Sequence, residues 1–250
     1  MLKLLLITAH PDDEAAGFGG SLLLYAERGV ETYIVCMTPG QAASHRGNAA
    51  SDDDLAALRR QEFAASCRIL NVSHAEVLDF HDGKLDRADF YAAVGELVRR
   101  IRTIRPHVIL TFGTEGAITA HPDHSMAAMF ATMAYHWAAR TDRYVEQLDG
   151  GLRPHQAQKL YYSTAPFTLA DRPQVALAPA TTTIAIGPYQ ERKIAAFKAH
   201  TTQSPLFQRV ETAVRRRGQL ELFHLALRSK PSTANMETDL FDGVKENSGT

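Results

Sequence analysis

A chain of 250 residues with 45% hydrophobic and 22% charged residues has the composition of an ordinary folded protein with a substantial core. Its formal net charge of -1 gives no overall positive field, which argues against nucleic acid or an anionic membrane as the main partner. Single α/β domains commonly reach about 200–250 residues. We therefore predict one domain over residues 1–230 and a polar, loosely ordered tail over residues 231–250.

The apolar segments of the chain are short. None approaches the roughly 20 residues that cross a bilayer, and the opening segment MLKLLLITA is too short for a secretory signal. Cys36 and Cys67 lie in apolar segments, and their positions suggest no disulfide framework. We expect a cytoplasmic protein, and a homo-oligomer is one of the states that the sequence leaves open.

The first half of the chain alternates apolar segments of strand length with longer amphipathic segments. This alternation predicts βαβ units and a parallel sheet, and therefore an α/β fold. The loop at residues 38–51 is long, and such loops are often functional. The predicted elements are strand 3–9, helix 18–28, strand 31–37, helix 52–70, strand 77–80, helix 88–105, strand 107–112, helix 122–139, strands 159–164 and 181–186, helices 188–199 and 205–217, and strand 221–228.

Two polar turns directly follow predicted buried strands. The first is AHPDDE at residues 9–14, and the second is TAHPDH at residues 119–124, at the start of a predicted helix. The carboxyl ends of parallel strands lie along one edge of a sheet, which is where ligands bind in such folds. We therefore expect the two turns to meet at one site.

The residues of these turns are suited to binding a divalent metal. A catalytic zinc site uses three protein ligands, commonly His nitrogens and carboxylate oxygens, and leaves one position open. The first turn supplies His10 and Asp13, and the second supplies His124. We predict that these three residues hold one ion.

Three further residues of the turns would remain beside the ion without binding it. Hydrolysis needs one group that takes a proton from the attacking water and another that polarises the carbonyl or protonates the leaving amine. We assign the first role to Asp12 and the second to His121. Asp123 would accept a hydrogen bond from the His121 imidazole and orient it.

Each turn also has a structural interpretation. Asp is a preferred N-cap and acidic residues favour the first turn of a helix, so either turn taken alone is equally well explained by capping. Together they favour the metal site, because both follow strands, both open helices and their ligand sets are complementary. Gly17, Gly19 and Gly20 do not form a dinucleotide fingerprint, since that pattern places glycines directly after the strand.

The sequence resembles the PIG-L/LmbE-type zinc N-deacetylases, which remove acetyl groups from substrates that contain N-acetylglucosamine. AHPDDEAAGFGG at residues 9–20 and TFGTEGAITAHPDH at residues 111–124 are similar to the two signatures of that family. The resemblance covers most of the chain, densely to about His124 and thinly beyond. Further matching positions are Arg59 and Glu62, Asp82 and Gly83, and the stretch from Lys193 through His200 to Gln203.

The resemblance implies a Rossmann-like, mostly parallel sheet flanked by helices, with the C-terminal part completing the pocket. It implies a zinc ion, with a ferrous ion as the alternative, and hydrolysis of the N-acyl amide, above all the N-acetyl amide, of a small amino sugar. It assigns the same residues to the metal and to catalysis as the two turns do by themselves. The substrate-binding candidates that it adds are Arg59, Asp82, His200 and Gln203.

Alternatives remain at the sites and for the function. Arg59 also has the spacing of a surface ion pair with Glu62, Asp82 that of an Asp-Gly turn, and His200 that of a helix-end residue. Thr119 stands where some family members have a tyrosine, and Ala120 where many have a glycine. The alternative functions are hydrolysis of another amide, such as a thiol-sugar conjugate or an acylated antibiotic, and a non-catalytic sugar- or metal-binding module.

Overall fold

The computed structural model describes residues 1–216, 218–230 and 236–246. None of the helices in these ranges is both long and apolar enough to cross a membrane. The strands are β1 (Lys3–Thr8), β2 (Glu31–Cys36), β3 (His74–Val77), β4 (Val108–Thr111), β5 (Lys159–Thr164), β6 (Thr182–Ala185) and β7 (Leu220–Arg228). The helices are α1 (Asp13–Glu27), α2 (Asp52–Ile69), α3 (Phe90–Ile104), α4 (Pro122–Ala138), α5 (Val145–Asp149), α6 (Gln190–Lys198) and α7 (Phe207–Arg216).

The strands form one sheet in the order β3-β2-β1-β4-β5-β7-β6. The first five strands in that order are parallel, and β7 runs antiparallel to both of its neighbours. Central β1 is almost wholly apolar and buried, as expected for a strand that helices cover on both faces. The predicted α/β fold with a mostly parallel sheet is confirmed.

The strand order places β1 beside β4, with Leu4 opposite Val108 and Leu6 opposite Leu110. From β1 the chain proceeds outward to β2 and β3, whereas from β4 it proceeds to the other side of the sheet. The carboxyl ends of β1 and β4 therefore border the topological switch point, where successive strands begin to be added on the opposite side of the sheet. Ligands bind in open α/β sheets at this kind of crevice.

Some predicted boundaries are wrong. Helix α1 begins at Asp13 rather than near residue 18, because Asp13 and Glu14 of the polar turn already form its first turn. Strand β3 lies at His74–Val77 rather than at 77–80. It is an edge strand with mostly exposed side chains, so the apolar pattern that marks the buried strands is missing.

The prediction of a loosely ordered tail is wrong for residues 236–246. Leu240 is fully buried, and Glu237 bridges to Thr182 at the edge of the sheet. The Glu237 carboxylate accepts hydrogen bonds from Lys159 Nζ at 2.9 Å and from the Tyr161 hydroxyl. A buried carboxylate that satisfies a buried ammonium group fixes this segment in place. Residues 231–235 and 247–250 of the predicted tail lie outside the described residues.

We expect Glu237→Ala to lower the free energy of unfolding by about 3 kcal/mol, because it leaves the buried Lys159 ammonium without its counter-charge. Urea denaturation followed by circular dichroism measures the change. The matched control is Glu246→Ala in the same segment, where an exposed glutamate pairs with the N-terminal ammonium and its loss should leave the transition unchanged. Equal destabilisation by the two variants would contradict the role given to Glu237.

Candidate active site and metal centre

The structure brings the two polar turns together at the carboxyl ends of β1 and β4. The imidazole centroids of His10 and His124 are 5.3 Å apart. The His121 ring lies 4.8 Å from that of His10 and 5.1 Å from that of His124. His10 thus shares one site with two imidazoles that lie more than a hundred positions further along the chain.

Asp13 lies between two of these imidazoles. Its Oδ2 is 3.5 Å from His10 Nδ1, and its Oδ1 is 3.1 Å from His124 Nε2. Oδ2 also accepts the backbone N–H of His10 at 2.8 Å. Burial alone would raise the pKa of Asp13, but His124 and His10 outweigh it and hold this pKa well below its ordinary value. Asp13 is therefore an ionised carboxylate.

These distances fit a shared ion. Ligand atoms placed tetrahedrally about 2.0–2.1 Å from zinc lie about 3.3 Å from one another. The two Asp13–His separations, 3.5 Å from Oδ2 and 3.1 Å from Oδ1, bracket that value. Among the described residues two overlapping sets of potential ligand atoms lie within 4.8 Å of one another, namely His10, His121 and His124, and His10, Asp82 and Asp123. Asp13 belongs to neither set, so its place among the ligands stays a prediction.

Nε2 of His10, the ring nitrogen that does not face Asp13, is held by two carboxylates. His10 Nε2 is 3.1 Å from Asp82 Oδ1 and 3.2 Å from Asp123 Oδ2. Asp123 also accepts the backbone N–H groups of Gly83 and Leu85, and Asp82 accepts that of Ala42. Metal-binding histidines characteristically donate their second N–H to a carboxylate, which fixes the tautomer and the ring orientation. Nδ1 of His10 is thereby left to face Asp13.

His124 is held in a similar way. Its Nδ1 lies 3.2 Å from the Thr119 hydroxyl, and its ring stacks on Phe112 at 4.0 Å between centroids. Nε2 is thus directed at Asp13. Thr119, which orients His124, stands where some family members have a tyrosine. Ala120, where many have a glycine, adopts a left-handed conformation with φ of 49°, which accounts for the glycine preference.

Asp12 has an uncommon backbone conformation for a residue other than glycine, with φ of 116°. Strain of this kind costs on the order of 1–3 kcal/mol and persists only where surrounding contacts enforce it. The Asp12 N–H donates to Glu14 Oε2 at 2.9 Å, and its carboxylate pairs with Arg59 Nη2 at 2.9 Å. Burial raises the pKa of Asp12 to about 6, opposed by the Arg59 charge.

Arg59 is engaged within the protein. Its guanidinium is buried, and it donates to the carbonyl oxygens of Pro11 and Gly40 as well as to Asp12. The group therefore supports the first polar turn and does not form a surface ion pair, and its contact with a substrate stays a prediction. A Cβ at Gly40 would lie 2.1 Å from Arg59 Nη1. The loop at 38–51 therefore needs a glycine where its backbone passes the Arg59 guanidinium.

His200 and Gln203, two other residues predicted to contact the substrate, are also engaged within the protein, and their substrate contacts stay predictions. His200 is fully buried, and its Nε2 lies 2.7 Å from Glu14 Oε1, which also accepts the Ser66 hydroxyl at 2.6 Å. Gln203 is buried and donates to the carbonyl oxygen of His45. Both residues lie behind the site. Glu14, which links His200 to Asp12, was missed in the sequence, where it is indistinguishable from an acidic residue of a first helical turn.

The partner predicted for Asp123 is also different. Its carboxylate faces His10, whereas its backbone N–H donates to His121 Nδ1 at 3.1 Å. The reason is that His121 is the N-cap of α4, so its ring faces the free N–H groups of the first turn. His121 Nδ1 is thus an acceptor, and the neutral ring carries its proton on Nε2. Burial and the neighbouring His10 and His124 lower the pKa of His121 to about 4.

A mostly parallel α/β sheet with histidines and carboxylates at its switch point is typical of hydrolases that use a metal ion. The sequence profile described as PIG-L, GlcNAc-PI de-N-acetylase, matches residues 5–135, which is just over half of the chain. The chain belongs to this family.

Two curated relatives are similar over much of their length. A 1D-myo-inositol 2-acetamido-2-deoxy-alpha-D-glucopyranoside deacetylase of Acidothermus cellulolyticus is 30% identical, over 97% of this chain and 95% of that protein. A mycothiol S-conjugate amidase of Streptomyces coelicolor is 33% identical over 65% of this chain, and the match spans 60% of that protein.

Solved structures share the fold. N,N'-diacetylchitobiose deacetylase from Pyrococcus horikoshii superposes with a TM-score of 0.75 at 24% identity, covering 89% of this chain and 83% of that one. GalB, a 4-carboxy-2-hydroxymuconate hydratase from Pseudomonas putida, has a TM-score of 0.74 at 21% identity, covering 93% and 99%. At these identities the likeness establishes the fold alone.

We expect Asp123→Asn to weaken Zn²⁺ binding about 10- to 100-fold, because it removes the charge that holds Nε2 of His10. Competition with a chromogenic zinc chelator measures the affinity without reference to activity. The control is Asp86→Asn, an exposed aspartate in the 82–87 segment whose backbone contacts Asp123, and this variant should bind zinc like the parent protein. An unchanged zinc affinity in Asp123→Asn would show that this carboxylate does not support a ligand.

Proposed function

We propose that this protein hydrolyses the N-acyl amide, above all the N-acetyl amide, of a small amino sugar of the N-acetylglucosamine type. The observation that carries the proposal is the position of Asp13 between His10 and His124, with Asp12 and His121 beside them. Membership of the PIG-L family and the named activities of the two curated relatives, a deacetylase and an amidase, support the same reaction.

The ligands that we propose for a single divalent ion, zinc or ferrous iron, are His10, Asp13 and His124. Such an ion supplies Lewis-acid polarisation of the amide carbonyl and lowers the pKa of a water in its coordination shell. The proposed donor atoms are His10 Nδ1, His124 Nε2 and the ionised Asp13 carboxylate. Zinc and ferrous iron both accept nitrogen and carboxylate oxygen ligands of this kind.

Asp12 is the proposed general base. Its carboxylate is held by Arg59 through a contact of 2.9 Å, so Arg59 acts as a positioning residue for the oxygen that takes the proton from the attacking water. The left-handed backbone of Asp12 turns its side chain away from capping α1, where it makes no side-chain cap. The carboxylate is thus available for proton transfer instead of being committed to the helix.

His121 is the proposed stabiliser of the oxyanion. Because its Nδ1 accepts the Asp123 N–H, the proton on Nε2 is available to donate a hydrogen bond to the carbonyl oxygen as negative charge develops there. The oxygen of water ends on the acyl carbon, the C–N bond breaks, and the nitrogen leaves as the free amine after gaining the proton that Asp12 took from the water.

Two alternatives are separated by product analysis. Hydrolysis of a thiol-sugar conjugate amide is favoured by the similarity to the mycothiol S-conjugate amidase. Its products would include a sulfur-containing fragment, which a simple N-acylated amino sugar cannot give. A non-catalytic binding module would need the three ligands but neither the held carboxylate of Asp12 nor the oriented imidazole of His121.

We expect amine release from N-acetylglucosamine derivatives to depend on metal. Fluorescamine detection of the free amine should give turnover in protein loaded with Zn²⁺ or Fe²⁺, loss after dialysis against a chelator, and recovery when the metal is returned. Heat-treated protein loaded with the same metal is the control. Release that persists in metal-free protein, or no release from any N-acylated amino sugar, would overturn the proposed function.

We expect Asp12→Asn to lower kcat by roughly 100- to 10,000-fold while the bound metal remains, because it removes the base and none of the ligands. His124→Ala should instead lose the metal itself. Plasma emission analysis of metal content, measured beside kcat, separates the two effects. If Asp12→Asn turned over at the parent rate with full metal content, Asp12 would not be the base.

A further inference from the structure

An apolar cavity of about 170 Å³ opens beside the proposed ligands. Asp13 and His124 form its polar end, and its remaining walls come from α1, α7 and the segments that follow β4 and β5. The apolar wall includes Phe112, Ile118 and Leu206. The cavity therefore starts at the atoms proposed to act on the amide and extends into hydrocarbon surroundings.

Two helices create this space. Val210, Ala213 and Val214 of α7 have the i, i+3, i+4 spacing of one helix face, and they line the cavity opposite α1. On α1 the lining residues are small, Ala16 and Gly17. A Cβ at Gly17 would meet nothing within 4 Å. The wall at this position is thus set back from its neighbours, and the gap is left open to a ligand.

Thr119, Ser163, Arg172 and Arg209 also border the cavity, but most of its surface is apolar. The groups proposed to act beside the ligands lie on a different side. Asp12, Arg59 and Asp82 do not line the cavity. A sugar placed in the cavity would bury its hydroxyl groups against apolar side chains, and each hydroxyl left without a partner costs about 1–3 kcal/mol. An amide substrate has a matching division, because its amino sugar is polar and its acyl chain is apolar.

We propose that this cavity receives the acyl group of the substrate, and that it accepts acyl groups larger than acetyl, up to a linear chain of about six carbons or an arylacetyl group. The proposal rests on the proposed function. The size follows from volume, since an apolar cavity of about 150 Å³ accommodates benzene. Hydrolysis of the C–N bond would then release a medium-chain carboxylate and the free amino sugar.

The experiment compares kcat/KM for N-acetyl-, N-butanoyl- and N-hexanoylglucosamine in the metal-loaded protein. Each methylene that enters the cavity should raise kcat/KM about fourfold, so the four additional methylenes of hexanoyl should raise it roughly 250-fold over acetyl. The benzyl glycoside of N-acetylglucosamine places an equally apolar group on the amine side. Its kcat/KM should exceed that of N-acetylglucosamine by less than about fivefold.

Variants of the cavity wall locate the effect. In Gly17→Leu the new side chain should occupy the cavity, and the hexanoyl-to-acetyl ratio of kcat/KM should fall at least tenfold. Gly17→Ala is the matched control and should keep the ratio within about fourfold. Gly17 lies within α1 and has no positive φ, so neither change strains the backbone. Ala213→Phe narrows the cavity from the opposite wall and should lower the ratio independently.

The outcomes separate this proposal from the proposed function. Metal-dependent cleavage of N-acetylglucosamine with no gain for hexanoyl, or a larger gain for the benzyl glycoside, would overturn the cavity assignment and leave the proposed function standing. If no N-acyl amine is cleaved, the proposed function fails. Calorimetric binding of N-hexanoylglucosamine against N-acetylglucosamine then tests the cavity directly, and equal dissociation constants would rule it out.

Discussion

The carboxylate of Asp13 lies between the imidazoles of His10 and His124, and this arrangement depends on β1 and β4 being neighbours in the sheet. His10 and Asp13 come from the turn after β1, and His124 from the helix that follows β4. Parallel pairing brings the carboxyl ends of both strands to one edge. A different strand order would separate the ligands however well the two motifs were preserved.

The site concentrates negative charge in a buried place. Asp13, Asp82 and Asp123 are all buried, and the pKa of each is lowered from its ordinary value. For each of them burial acts to raise the pKa, and contacts with the histidines outweigh it. Ionised carboxylates that converge on two imidazoles in a dry site are stabilised by positive charge. A divalent cation bound by these residues would supply that charge where it is needed for the proposed chemistry.

The parts of the site that lie in continuous segments could be predicted from the sequence. The convergence of the two turns needed only two motifs and the rule that parallel strands end at one edge. The partners of Arg59, Asp123 and His200 could not be predicted, because side-chain direction at a helix start and a contact across 186 positions leave no local pattern. The packed segment at 236–246 was missed for the same reason. Its anchor, Glu237, resembles any acidic residue of a polar tail.

The fold alone leaves the reaction open, since a hydratase and a deacetylase both superpose on this chain at similar TM-scores. Both reactions use water, so a held base and an oriented hydrogen-bond donor suit either one. What differs between substrates is the shape and polarity of the groups on either side of the reacting carbon. In this chain the small α1 residues Ala16 and Gly17 lie across a cavity from the apolar face of α7. If the proposed cavity assignment holds, the choice of substrate depends on this gap between two helices, whereas the proposed ligands and base are positioned by the strand ends.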